Sequence, residues 1–514
     1  MAPLDYAIVI IYLLVVGSIG LAVSRNQETP LKYFLADKAM PQWVVGFTLM
    51  ATLISSNTLV AHPAIVFQKS MILVPGFIVM PFVLVAVAIW VVPFYRRVVG
   101  MSAYEYIGRR FGLGGRLYTS FGFLLSRIFG IGVALVTTSI AVKVMTGWPI
   151  EWVILGIGLF TILYTLVGGI TAVVFTDVVQ GIFLMLGGVV IVARLLFGPE
   201  ISGPGAVFNE AWEAGKFSLG SGELSWASLY NSEDRTIWMF AAAMAVQWSR
   251  RYICDQAMVQ RYLIARSTAE AKRGTLIGAA LSVPVLIAFN VIGALLFGFY
   301  SLTGAPQPEV GDYILPHFIV NYLPAGMVGL ILAAVLAASM SSVSSDLNSI
   351  STVITKDYFS RFLPGLSDRG QLRIGRTMVL LAGLVAAGIA ILLVPNEGST
   401  PLAERALVIT VIVSSGALGI FCLGFFSTRA TRRGCYVGIA CGVMFTLWAV
   451  LTEPGNRLLD LGPFNFEMNA ILIGIFGNLV TFGVGWLASI LMGGYRPSDI
   501  SDLKLRAPRE SAGY

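Results

Sequence analysis

The sequence predicts an all-α, polytopic membrane protein, and three observations carry that expectation. Of its 514 residues 57% are hydrophobic and only 12% charged, roughly half the charged share of a soluble chain. Apolar runs repeatedly reach the ~20 residues a helix needs to cross a bilayer, and mean hydropathy is +0.82. Basic residues gather in alternate short loops, the arrangement that orients helices in a membrane. The net charge of +7 is therefore a topological signal, not a nucleic-acid footprint.

Hydropathy gives about thirteen spans. The first, about 4–23, has Asp5 and no basic residue ahead of it, so it reads as a retained span and not a cleaved signal. Spans at about 41–66, 74–95, 117–145, 150–168, 170–197, 236–258 and 274–300 follow. The last five fall at about 326–352, 373–394, 406–426, 434–452 and 468–492. Arg96, Arg97, Arg109, Arg110 and Arg116 fill one loop, and Arg261, Arg266, Lys272 and Arg273 another. Lys356, Arg361, Arg369, Arg373 and Arg376 fill a third, Arg429, Arg432 and Arg433 a fourth, and Arg496, Lys504, Arg506 and Arg509 lie in the tail. The intervening loops are longer or acidic, as at 200–234 and 309–312. An odd span number and this alternation agree on an outside N-terminus and a cytoplasmic C-terminus in a cell membrane. No soluble domain is expected: 198–235 reads as a surface loop, and the tail after Gly494 as disordered.

Enzyme chemistry finds no support. Cys254, Cys422, Cys435 and Cys441 fall in or beside spans without a metal or disulfide pattern, and two histidines, His62 and His317, exclude a His-rich metal centre. There is no phosphate-binding loop and no ligand cluster, so neither an enzyme nor a cofactor is expected.

Polar residues inside the spans are where the function must lie, because lipid offers them no partner. In GLILAAVLAASMSSVSSDLNSIST (329–352) an apolar helix runs into Ser339, Ser341, Ser342, Ser344, Ser345, Asp346, Asn348 and Ser349. Ser341, Ser344 and Ser345 stand at i, i+3 and i+4 and share one face. Hydroxyls and carbonyls in a dry setting suit a small hard cation; close helix packing by small residues is the alternative.

The second span, WVVGFTLMATLISSNTLVAHPAIVF, carries Ser55, Ser56, Asn57 and Thr58 at its middle, with Pro63 beyond. Pro63 removes an amide donor, and Ser and Asn offer the backbone other partners. A break at mid-depth is tolerated where it lines a cavity; a proline kink without a ligand is the alternative. Asp177, near the inner end of its span, marks an ion or proton path or else an interfacial helix start. Arg127, in FGFLLSRIFGIGVAL, costs about 2.5–3.5 kcal/mol inside a span even on the lenient scale, unless it snorkels to an interface. Arg250 and Arg251 either face a watery cavity or hold helices through carbonyls.

Four stretches, AAVLAASMSSVSSDLNSIST, YTLVGGITAVVFTDVVQ, DQAMVQRYL and ALGIFCLGFFSTRATRRGCYVG, together resemble the sodium/solute symporter family over nearly the whole chain. That family carries glucose, iodide, proline, multivitamins or sialic acid with sodium. The resemblance implies a leucine-transporter-like core of two five-helix repeats of inverted topology, one helix before it and two after. The divisions are then 1–40, 41–234, 235–432, 433–493 and a tail, 494–514. It implies a main sodium site from the carbonyls of Ala51, Ile54 and Ala338 and the hydroxyls of Ser341 and Ser342. A second would use Asp177, Ser341, Ser344 and Ser345.

For the solute, sugar carriers place a carboxylate and an amide after the break, where Asn57 and Thr58 stand here. Sialic-acid carriers place small hydroxyls there and an Arg in the span of Arg127. Ser55, Asn57, Thr58 and Arg127 are thus the implied solute contacts, the planar fork of Arg127 suiting a carboxylate. The expectation is alternating-access symport, with two sodium ions, of a small organic anion such as sialic acid or another monocarboxylate. The alternatives are a neutral solute such as a sugar, and a sodium-independent uniporter or channel on the same scaffold. Sodium, the solute and membrane lipid are the expected partners, nucleic acid is not, and a monomer is expected.

Overall fold

A computed structural model describes residues 1–24, 27–223, 225–230, 236–308, 311–394, 416–454, 457–494 and 503–505, without the side chains of Asn57 and Ala227. Its described residues are almost wholly helical. The first apolar run forms α1 (Pro3–Ser24), and the second is divided into α2 (Gln42–Leu53) and α3 (Ser56–Gln68). Then come α4 (Val74–Val98), α5 (Leu113–Thr146) and α6 (Ile150–Phe197). The second half holds α7 (Ile237–Cys254), α8 (Gln256–Leu263), α9 (Thr268–Thr303), α10 (Met327–Val353) and α11 (Asp368–Leu392). It ends with α12 (Ala417–Phe426), α13 (Arg432–Thr452) and α14 (Ile473–Met492).

Among the described residues nine helices are long and apolar enough to cross a membrane, or ten if α2 and α3 count as one bent span. The expected thirteen are not counted one by one, for three reasons. Part of the 406–426 run lies outside the described residues, as does most of the tail expected after Gly494. Arg250 and Arg251 lower the hydropathy of α7. And α6 runs through two expected spans: its 48 residues would extend about 72 Å at ~1.5 Å each, more than twice the ~30 Å hydrocarbon layer. Gly169 interrupts it with φ 57° and ψ −154°, at the boundary expected between 150–168 and 170–197. A Cβ on Gly169 would lie 2.7 Å from the Tyr33 carbonyl oxygen, so glycine is required by both its dihedral and its neighbour.

Two helices are broken. The axes on either side of the first break, α2 and residues Thr58–Gln68, diverge by 55°, with Ile54 and Ser55 in extended geometry. The second break was not expected, since 236–258 reads as one span. Asp255 there is extended (φ −94°, ψ 120°), and its carboxylate accepts the Ala257 amide at 2.9 Å, capping α8. Asp is a preferred capping residue, so the signal was present in DQAMVQRYL.

α10 is the central helix. Its apolar window is 83% buried, against 17% for α1, and it packs on α6, α5, α1 and α11. Small residues permit this closeness: a Cβ on Gly187 of α6 would lie 2.9 Å from the Ala334 methyl of α10. Asp5 on α1 closes the amino end of α10, its Oδ1 accepting the amides of Gly326 at 2.7 Å and Gly329 at 2.8 Å. A capping carboxylate at a helix start contributes about 1–2 kcal/mol. Asp5→Ala is expected to lower the detergent melting temperature by a few degrees, with Asp5→Asn between it and the native protein; an unchanged melt would make the cap dispensable.

At the other end of α10, Asp357 accepts from Arg116 Nε at 2.8 Å and from Ser102 at 2.6 Å. Arg96 Nη1 donates to the carbonyls of Tyr262 (2.7 Å) and Ala265 (2.9 Å). Arg96 and Arg116, expected in a loop, lie at the ends of α4 and α5 and tie helix ends together.

Candidate ion and solute site

Beyond Gly169, α6 runs against α10, and this brings Asp177 to the serine face. Asp177 is fully buried. Its Oδ1 accepts from Ser341 at 2.6 Å and its Oδ2 from Thr48 of α2 at 2.5 Å. Arg261 of α8, also fully buried, places Nη2 3.7 Å from Asp177 Oδ2 and donates to Ser345 at 2.5 Å. Thr52 and Ser345 share a 3.1 Å hydrogen bond, and Ser344 donates to the Ser341 carbonyl at 3.1 Å. The residues expected for a second sodium site thus form one cluster. Thr48 and Arg261 were missed. The run of basic residues places Arg261 in a loop, yet every residue of α8 is buried, so the polar groups of Gln256, Gln260 and Arg261 must find partners inside. Gln260 meets part of that demand, its Nε2 donating to the Phe34 carbonyl (2.6 Å) and to Asn348 (2.9 Å), while its buried Oε1 has no partner among the described residues.

The residues expected for the main sodium site lie at the end of α2 and on α10. Ala51, Ile54 and Ala338 are buried. Ala51 and Ile54 belong to the end of α2, where the last carbonyls have no further helical amide to meet. The Ser342 hydroxyl is buried and, like that of Ser339 on the same helix, has no hydrogen-bond partner among the described residues. Ser341, assigned to both sites, turns its hydroxyl to Asp177 here. Arg251 Nη2 donates to the Thr52 carbonyl at 3.2 Å, which answers the question its sequence position left open: it holds a helix end by a carbonyl.

Arg127 is not a snorkelling residue. It forms ion pairs with Asp255 at the α7–α8 break and, at 3.3 Å, with Asp346 of α10. Asp255 also pairs with Arg251 at 3.4 Å. A cavity beside this network is lined by Tyr104, Thr119, Ser126, Arg127, Arg250 and Asp255, among others. Ser55, half-buried, and Thr58, buried, stand at the first break and are not in that cavity wall; the Asn57 side chain lies outside the described residues. Ser56 of α3 donates to the Ala134 carbonyl of α5 at 3.2 Å, so the first break and the Arg127 helix are in contact.

The sequence model of the sodium:solute symporter family matches residues 33–442, most of the chain. The chain belongs to the sodium:solute symporter family. Within it, the chain is similar to the sodium/sialic acid symporter NanT of Aliivibrio fischeri, at 29% identity over 99% of this chain and 97% of that relative. SiaT of Proteus mirabilis, also a sodium/sialic acid symporter, is 29% identical over 97% of both chains. The sodium/glucose cotransporter of Vibrio parahaemolyticus is 27% identical over 87% of this chain and 84% of its own. Among solved structures, a Na+-coupled sialic acid symporter in a substrate-bound, outward-open state superposes with a TM-score of 0.86 at 28% identity, covering 97% of this chain and 99% of that one. Mhp1, a nucleobase-cation-symport-1 transporter, matches at a TM-score of 0.52 and 14% identity over 90% of this chain and 96% of its own, a likeness of fold. Members of the sodium:solute symporter family are multi-pass membrane transporters, not enzymes, and this chain is one of them.

Proposed function

We propose that the chain imports a small organic anion of the sialic-acid or monocarboxylate class, driven by two sodium ions per cycle. The observation that carries this reading is the buried cluster in which α2, α6, α8 and α10 converge on Asp177, inside a chain similar along its full length to sodium/sialic acid symporters. The main sodium ion would take the carbonyls of Ala51, Ile54 and Ala338 with the hydroxyls of Ser341 and Ser342. The second would take Asp177, Ser341, Ser344 and Ser345. Ser55, Asn57, Thr58 and Arg127 would contact the solute.

The two broken helices support the inverted-repeat reading, since each opens one proposed repeat: α2–α3 in 41–234 and α7–α8 in 235–432. Dividing α6 at Gly169, and counting α7–α8 and the span ending at Phe426, brings the total to thirteen. Segment 1–40 then precedes the core, 433–493 and a cytoplasmic tail at 494–514 follow it, and the N-terminus lies outside. The carrier works as a monomer in this reading.

Uptake into proteoliposomes under an imposed sodium gradient, against a choline control, tests the coupling; influx indifferent to sodium would leave a uniporter. Ser342→Ala is expected to raise the sodium concentration for half-maximal uptake about tenfold, the equivalent of one hydrogen bond of ~1.4 kcal/mol. Unchanged sodium activation would remove Ser342 from the main site.

One observation favours a neutral solute as the second reading: Arg127 is already engaged by Asp255 and Asp346, which a solute carboxylate would have to displace. Sodium-dependent thermal shifts with sialic acid, its methyl ester, sugars and short monocarboxylates separate the two. An anionic solute predicts a shift with the acid and none with its ester; equal shifts favour the neutral reading.

A further inference from the structure

Arg261 stands where a second cation would have to go. We propose that it is a tethered counter-cation of the Asp177 cluster, which an arriving sodium ion must displace and which reoccupies the cluster when sodium leaves. This rests on the reading of Asp177, Ser341, Ser344 and Ser345 as a sodium site, and assigns to that site an internal competitor.

The polar groups of the cluster all have protein partners. Both Asp177 oxygens accept hydroxyl protons, from Ser341 and from Thr48. The Ser345 oxygen accepts from Arg261 Nη2, Arg261 Nε reaches Thr48 at 3.4 Å, and the Ser344 hydroxyl is turned toward the Ser341 carbonyl. One carboxylate and one guanidinium make the pair neutral, and both are fully buried. The nearest other carboxylate on α10, Asp346, is held by Arg127. A sodium ion added to this arrangement would leave a buried, uncompensated positive charge, which a low-dielectric interior opposes strongly. With the guanidinium withdrawn, Asp177 is a bare buried carboxylate, and sodium restores neutrality. The two cations are therefore alternatives.

The guanidinium is also mounted so that it can leave. Nη1 is bonded at 3.0 Å to the Ala257 carbonyl of its own helix, so the group is oriented by α8 and moves with it. α8 begins at the Asp255 break, and Asp255 is paired with Arg127. Exchange of Arg261 for sodium thus acts on the short helix whose capping residue, Asp255, holds the proposed solute arginine. That gives the ion a physical route to the solute site through one rigid element.

The test uses the full-length purified protein in choline buffer, titrated with sodium, and reads radioactive sodium binding together with the melting temperature. Arg261→Gln is expected to lower the half-saturating sodium concentration about tenfold (~1.4 kcal/mol), to lower the sodium-free melting temperature, and to enlarge the rise that sodium produces. Arg261→Lys should move in the same direction by less, because an ammonium cannot bridge Ser345 and Asp177 as a fork; it decides the matter if Arg261→Gln fails to fold. Adding Asp177→Asn to Arg261→Gln should abolish the gain. An unchanged or weakened sodium affinity in the folded Arg261 variants overturns the proposal while leaving the sodium site in place. A native protein that binds no sodium overturns both.

Discussion

Replacing Asp177 by Asn is expected to reduce the sodium Hill coefficient from near two to one, and steady-state accumulation of a monoanion from several thousandfold to about tenfold. The magnitudes follow from the driving force. One sodium ion moving through ~100 mV releases ~2.3 kcal/mol, and a tenfold gradient contributes a further ~1.4 kcal/mol. Two ions supply ~7.4 kcal/mol, of which drawing one anion inward against the potential consumes ~2.3. The remaining ~5 kcal/mol supports several thousandfold accumulation. With one ion only ~1.4 kcal/mol remains, a factor of about ten.

Asp177→Asn also leaves Arg261 without its carboxylate, and breaking a buried pair costs about 3–5 kcal/mol. The double variant with Arg261→Gln removes both charges, is expected to retain the fold, and should give the same coefficient of one. A coefficient still near two in either folded variant would remove the second sodium ion.

The second large effect is expected at Arg127. Arg127→Ala should abolish uptake of a carboxylate solute while sodium still raises the melting temperature. Its loss leaves Asp346 without its ion-pair partner and Asp255 with Arg251 alone, so a lower sodium-free stability accompanies the lost transport. Arg127→Lys separates the two effects. It keeps the charge and much of the stability, but a point-charge ammonium cannot hold a carboxylate as a planar fork, so half-saturating solute should still rise by an order of magnitude or more. Preserved uptake in Arg127→Ala would make the residue a structural tie between α5, α10 and the α7–α8 break, and would turn the solute assignment toward a neutral compound.

Much of this was legible because lipid is an unforgiving solvent for polar groups. Asp177 and the serines of α10 stood out as polar residues inside apolar runs, and Asp177 does meet Ser341. The Ser-Ser-Asn sequence before Pro63 signalled the first break, which falls at Ile54 and Ser55. The boundary between 168 and 170 was legible because two full spans abut at a glycine, although helical geometry persists on both sides.

What escaped the sequence lies around the second break. A count of basic residues per loop treats each arginine as a vote on orientation. It cannot see that α8 turns back into the core and carries Arg261 to a carboxylate 84 positions distant in the chain (177 to 261). Asp255 is legible as a cap and as a neighbour of Arg251 one turn earlier, but its pairing with Arg127 depends on α5 arriving from another part of the fold. Hydropathy registers Arg251 only as a cost, not as the evidence of a nearby carboxylate and an open carbonyl that it proves to be.

The first helix, α1, is more than a passenger. Because the Asp5 side chain seals the amino end of the most deeply embedded helix, and Gly329 of that helix has no room for even a methyl group against the Asp5 backbone, the leading segment is woven into the centre of the carrier. A version trimmed of that segment would leave its most deeply embedded helix unplugged at the amino end.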